Sequence, residues 1–313
     1  MHTRPLGRTG FSVTPICVGT SALGSFPSQY GYEVNDEQAL TTLDAVLKGP
    51  FNFIDTSNEY GNGGDSERRI GRAIAAHGGL PAGFLLATKV DPRPGSADFS
   101  GERVRASVAE SLERLGLDRL PLVYLHDPEK ISFEEGMSEG GPVRALVRLR
   151  EDGIIGHLGV AGGPVDLMLA YVKTGLFEVV ISHNRYTLID QSAGPLIEET
   201  ERRAIGFVNA APFGGGMLVQ GPERQLNYCY APATPRTLER ARAMQAICRE
   251  HGVPLAAAAL QFSLRDSRIA STIVGMSDPR RLEQSLSLAT HRIPEALWAQ
   301  LEPLVAEGRT GVT

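Results

Sequence analysis

Four residues of this 313-residue chain have the types and spacing to move a proton. Asp55 closes the run FNFID, Lys89 sits in LATKV, His126 ends VYLH, and Tyr60 follows Asp55 in a Gly-Asn-Gly-Gly loop. Together they suit a carbonyl or an alcohol. A tyrosine hydroxyl begins near pKa ~10, too high for efficient acid–base work at neutral pH. A neighbouring ammonium is expected to favour the phenolate and lower that value, while a buried carboxylate keeps the lysine charged. A histidine donor positions the substrate oxygen and stabilises negative charge developing there. No side chain supplies a hydride, so a redox reaction needs a separate carrier. Singly, each residue has an ordinary alternative: Asp55 as a turn cap, Lys89 snorkelling to water, His126 as a satisfied loop histidine. Four such accidents on consecutive strand ends are harder to accept.

The elements that must position them are legible as alternation. Short apolar runs predict strands at 15–19, 51–55, 84–90, 121–126, 154–160, 178–182, 205–210 and 271–275, each suited to burial on both faces. Between them lie helical patterns with start signals. Asn35-Asp36-Glu37-Gln38 reads as a capping box, and Ser100 caps a run with Val104, Val108, Leu112 and Leu115 at helical spacing. Thr234-Pro235 and Asp278-Pro279 each read as an N-cap followed by proline. Strand ends near 55, 89, 126 and 160 are 34, 37 and 34 residues apart, one βα unit each. No G-x-G-x-x-G follows the first strand, which disfavours a doubly wound sheet. The expectation is a single (β/α)8 TIM barrel with parallel strands, one domain over 1–313, with polar strand-end residues converging on one mouth.

Composition narrows the partners. Thirty-one basic against 36 acidic residues give a net charge of −5, leaving no basic excess for nucleic acid or an anionic membrane surface. Hydrophobic residues make up 42%, ample for a core. Cys17, Cys229 and Cys248 lie far apart, which disfavours a disulfide framework or a metal knuckle, so no metal is expected. The start MHTRPLGRTG lacks a signal-peptide core, and no long apolar run occurs; a cytoplasmic protein acting on a small molecule is expected.

Longer segments carry a resemblance. LGRTGFSVTPICVGT (6–20), DTSNEYGNGGDSERRIG (55–71), ATKV (87–90), LHDP (125–128) and IVGMSDPRRLEQS (273–285) are similar to the aldo-keto reductase superfamily. Asp55, Tyr60, Lys89 and His126 fall on that family's catalytic tetrad. The resemblance implies a (β/α)8 barrel with NAD or NADP extended across its C-terminal face. DTSNEYG, YLHDP and SHNRYTLIDQSAGPLI (182–197) resemble the branch of D-threo-aldose 1-dehydrogenases (L-fucose or L-galactose dehydrogenases) and pyridoxal 4-dehydrogenases. That implies oxidation of a sugar hemiacetal to a lactone, with Tyr60 as general base. General aldehyde or ketone reduction is the wider alternative.

Cofactor contacts implied by the resemblance are Gly19, Thr20, Asp55, Gly275, Met276, Ser277, Arg281, Gln284 and Ser285, with His183 and Asn184 towards the nicotinamide; Phe213 is expected, apart from the resemblance, to offer an apolar contact there. Here the chain departs from its relatives. Ala161 and Gly162 replace a Ser-Asn pair, and Ala210 replaces a stacking tyrosine. Gly275 stands where NADP-preferring relatives often carry lysine, so the choice between NAD and NADP stays open. Backbone N–H groups at 276–279 are expected to suit a phosphate. Two other readings are a Schiff-base aldolase with Lys89 as nucleophile, and a nicotinamide-sensing regulatory protein.

Overall fold

The computed structural model describes residues 2–93, 95–229 and 231–311. Pro94 and Tyr230 lie outside the described residues. Eight parallel strands form a closed barrel: β1 (Ile16–Gly19), β2 (Phe53–Asp55), β3 (Leu85–Val90), β4 (Leu120–His126), β5 (Ile155–Gly162), β6 (Val179–His183), β7 (Gly206–Ala210) and β8 (Ile269–Gly275). Each pairs with the next, and β8 closes onto β1 with Gly275 opposite Gly19. The helices that follow the strands in turn are α1 (Asp36–Leu47), α2 (Asp65–His77), α3 (Gly101–Leu115), α4 (Pro142–Glu151), α5 (Val165–Lys173) and α6 (Gly194–Arg202). α7 (Pro235–Glu250) and α8 (Leu255–Leu264) precede β8; α9 (Arg280–Thr290) and α10 (Glu295–Ala306) follow it. Among the described residues no helix is long and apolar enough to cross a membrane.

Side chains alternate along each strand, so each strand has an inward and an outward row. The outward row, including Ile16, Val18, Ile54, Leu86, Val123, Leu125 and Val160, packs beneath the helices. The inward row fills the barrel with Cys17, Phe53, Leu85, Ala87, Leu122, Tyr124, Ala161, Ile181 and Val208. Leu6 and Val13, from a hairpin pairing Arg4–Pro5 with Ser12–Val13, join this inner cluster. Leu6 lies against Gly206 at the start of β7, so the hairpin closes the N-terminal mouth. Chemistry is thereby left to the opposite end.

The helix signals held with two corrections. Ser100 accepts from Arg103 N at 3.3 Å, and Thr234 accepts from Thr237 N at 3.1 Å. Asn35 caps α1 by accepting from Gln38 N, but the capping box is half made. The Gln38 side chain reaches instead to Ser277 O at 2.8 Å, because β8 ends beside this helix. At the last expected cap, Asp278 accepts from Arg280 N at 2.9 Å, with the regular helix starting at Arg280.

Close packing of the outer layer depends on one glycine. A Cβ at Gly71 in α2 would lie 2.1 Å from Arg114 O in α3, and backbone cannot swing aside as a side chain can. Gly71→Ala is expected to destabilise the chain by about 2 kcal/mol through overpacking, read as a lower urea midpoint with an unchanged slope.

Candidate active site

Alternation and register together assemble the site. Asp55 continues the inward row of Phe53, Lys89 that of Leu85 and Ala87, and His126 that of Leu122 and Tyr124. Asp55 is level with Ala87, and Lys89 is level with Tyr124, so the barrel's stagger lifts each site residue one inward step above its neighbour. Lys89 folds back onto Asp55, its Nζ donating to Oδ1 at 2.6 Å and to Thr56 O at 2.7 Å. Its remaining donor reaches Tyr60 OH at 3.2 Å. Both charged side chains are buried, each 3% exposed.

An ammonium with all three protons engaged has no lone pair to attack a carbonyl. Burial alone disfavours its charge, but Asp55 and then Tyr60 outweigh this and hold the Lys89 pKa well above its ordinary value. The Schiff-base reading loses its nucleophile.

Tyr60 arrives from the loop after β2. Its carbonyl accepts from Ser66 N at 3.0 Å near the start of α2. The loop after β1 presses against it through two glycines: a Cβ on Gly24 would sit 2.6 Å from Gly61 N, and one on Gly61 2.5 Å from Gly24 O. Phe26 from that loop meets the Tyr60 ring edge-on at 6.5 Å. This enclosure corrects the expected pKa. Burial raises the Tyr60 hydroxyl well above its ordinary value, and Lys89 only partly offsets it while Asp55 adds to it. Tyr60 therefore holds its proton firmly in the protein alone.

His126 packs edge-on against Tyr60 at 6.0 Å between ring centroids. Its Nδ1 lies 2.5 Å from Asp91 Oδ1. Burial opposes a charged ring, yet Asp91 more than compensates, and the His126 pKa is raised. Asp91 and Ser57, whose hydroxyl donates to Asp91, were not found from the sequence. The available signal was the position of Asp91 two residues beyond Lys89, on the same side of the chain.

The residues implied for the cofactor divide. Gly19 and Gly275 sit side by side, and a Cβ on Gly275 would meet nothing within 4 Å. Arg281 and Gln284 are exposed and touch at 3.3 Å. His183 and Asn184 end β6, with Asn184 Nδ2 3.2 Å from His183 Nδ1 and Asn184 Oδ1 buried without a partner among the described residues. Phe213 is half-buried against the core. Others are engaged within the protein. Thr20 is buried, with its hydroxyl on Asp55 O at 2.9 Å; Met276 is a core side chain; Ser285 Oγ donates to Arg281 O at 2.7 Å. Of the N–H groups at 276–279, that of Met276 is taken by Gly19 O, and Pro279 has none, leaving Ser277 and Asp278. An orphaned buried amide oxygen at one end and open space at Gly275 at the other fit a nicotinamide dinucleotide.

Space at Gly162 is tight: a Cβ there would lie 2.9 Å from both Glu129 Oε2 and Met168 Sδ, so those side-chain ends would have to shift to admit one. Asp127, Glu129 and His183 bring their ligand atoms within 4.8 Å of one another nearby.

Replacing Lys89 by methionine strands the Asp55 carboxylate in the barrel. Lys89→Met is expected to cost about 3–5 kcal/mol of stability by urea unfolding, with much of that loss recovered in the Lys89→Met/Asp55→Asn double variant.

Comparison with known proteins agrees with this geometry. The sequence profile of the Aldo/keto reductase family matches residues 15–306. The chain is 33% identical over 292 residues to a D-threo-aldose 1-dehydrogenase of a Pseudomonas species, covering 86% of this chain and 88% of that protein. It is 34% identical over 294 residues to an L-galactose dehydrogenase of Arabidopsis thaliana, covering 93% and 88%. With a pyridoxal 4-dehydrogenase of Microbacterium luteolum it shares 28% identity, covering 95% and 96%. Its fold matches an aldo-keto reductase of Bacillus halodurans, solved in its holo form, with a TM-score of 0.79 at 21% identity over 97% and 96% of the two chains. With that profile spanning most of its length, the chain belongs to the aldo/keto reductase family and is an NAD(P)-dependent oxidoreductase.

Proposed function

We propose that the chain is an aldose 1-dehydrogenase, oxidising the C1 hydroxyl of a cyclic sugar to the lactone. The observation that carries the reading is the Tyr60 hydroxyl held 3.2 Å from the Lys89 ammonium at the barrel mouth, with the His126 ring against it. The named relatives that act on aldoses support the substrate class, and the pyridoxal 4-dehydrogenase keeps an aromatic carbonyl compound as the second candidate.

Gly19, Gly275, Arg281, Gln284, His183 and Asn184 would hold NAD(P), which would supply a hydride acceptor for C1. The chain's own residues handle the proton. Tyr60 takes the hydroxyl proton of C1, and its phenolate is stabilised by Lys89, which Asp55 keeps charged. His126 hydrogen-bonds the substrate oxygen and fixes it against Tyr60. Because burial favours the protonated phenol, forming the base draws on the positive charge of Lys89. Phe26 and the loop after β1 pack against the Tyr60 ring and partly cover it.

A screen of L-fucose, D-arabinose, L-galactose and pyridoxal with NAD+ or NADP+, followed by absorbance of the reduced carrier, tests the assignment. Turnover of at least one sugar is expected, and none on any sugar removes the substrate class. Tyr60→Phe should lower kcat by about 10²–10⁴-fold while cofactor affinity, read by fluorescence quenching, stays nearly unchanged. The raised Tyr60 pKa sets the sign of the pH effect: the base form grows as pH rises. Oxidation should accelerate between about pH 7 and about pH 10, while Tyr60 stays largely protonated and its titration leaves the reverse reduction level over that range, measured as kcat/KM in both directions.

A further inference from the structure

Three donors converge on the carboxylate of Asp91, which is 1% exposed. Ser57 Oγ donates to Oδ2, Glu59 N donates to Oδ2 at 3.2 Å, and His126 Nδ1 lies 2.5 Å from Oδ1. A carboxyl group that must accept from a hydroxyl and an amide while meeting a ring nitrogen is satisfied when ionised. An ionised carboxylate only accepts, so Nδ1 of His126 carries a proton whatever the charge of the ring. The other nitrogen, Nε2, then has a proton only when the ring is cationic. The ring is partly open to the mouth, 13% exposed.

Every charged group around the ring has a known place. Lys89 and Asp91 come from β3 and the residue after it, Asp55 from β2, and Glu59 and Tyr60 from the following loop. Asp127, next along from His126, has its Oδ1 3.6 Å from Nε2. Its carboxylate is shared with Lys130 at 3.6 Å and His183 at 3.7 Å, which divides its pull on the ring. Asp91 is the carboxylate in direct hydrogen-bond contact with His126, and Lys89 is the cation that opposes it. The shifts agree with this balance: Asp91 is lowered despite its burial, and His126 is raised despite its own.

We propose that Asp91 is a positioning residue that fixes His126 with Nδ1–H turned inward and keeps the ring cationic, so that Nε2 donates to the substrate oxygen. The proposal rests on the proton-transfer reading of this site. It assigns the choice between donor and acceptor at Nε2 to a residue two positions beyond Lys89. A neutral partner at position 91 would leave Nε2 bare near neutral pH, and it would then accept from a substrate hydroxyl instead of polarising a substrate oxygen.

The test uses the full-length protein with ¹⁵N- and ¹³C-labelled histidine, following His126 by NMR against pH in wild type and Asp91→Asn. In the wild type, the ring is expected to titrate above the ordinary value of about 6.5, with Nδ1 protonated in the neutral form. In Asp91→Asn the midpoint should fall by about one unit, tenfold in proton affinity. The limb of the kcat/KM profile for reduction that reports His126 should move down by the same amount. A His126 midpoint unmoved by Asp91→Asn, or a uniform loss of rate with no movement of that limb, overturns the proposal. If Asp91→Asn does not fold, the wild-type ¹⁵N shifts still decide, since a bare Nδ1 in the neutral ring overturns it. Absence of turnover by the wild type on every substrate would count against the assigned activity alone, because the NMR titration judges the Asp91–His126 pairing without it.

Discussion

The ion pair between Lys89 and Asp55 is the constraint on which the rest of the site depends. Two opposite charges, both buried at the top of an apolar barrel, are tolerated only in contact and with their hydrogen bonds made. That requirement fixes the register of β2 against β3. A slip by one residue would turn Asp55 or Lys89 outward among Ile54, Leu86 and the helix-facing side chains. The buried ion pair therefore also serves as a check on the folded barrel, because a one-residue slip breaks it.

Each cationic nitrogen group at the mouth has a buried carboxylate behind it. Lys89 has Asp55, and His126 has Asp91. Tyr60 alone lies between two nitrogen groups with no carboxylate in hydrogen-bond contact, and it alone has its proton held by burial. The asymmetry suits a reaction in which the phenol gives or takes a proton while its neighbours remain charged. Desolvation, which opposes all these charges, also strengthens the interactions between them.

The cofactor side follows a different logic. Ala161, Gly162 and Ala210 remove side chains from one rim of the mouth, and Glu129 fills the space above Gly162. Asp127, Glu129 and His183 crowd together there, with Lys130 bridging Asp127 and Glu59. Charged groups therefore line this side of the mouth, and the aromatic loop carrying Phe26 and Tyr30 lies on the other.

The order of elements, the barrel and three of the four residues that meet at its mouth were legible in the sequence for one reason. A strand buried on both faces is an apolar run, so an ionisable residue at its C-terminal end is conspicuous. Tyr60, in a glycine-rich loop, became legible through the resemblance of its flanking segment. What the linear pattern lacked was information about distance across the mouth. Asp91 and Ser57 look like ordinary loop residues until β3 and β4 are side by side, and Met276 and Thr20 look available until the barrel closes over them. The same closure reversed the expected direction of the Tyr60 shift: a neighbouring lysine can be anticipated from spacing, whereas the loss of water around a phenol exists only once the loops have folded over it.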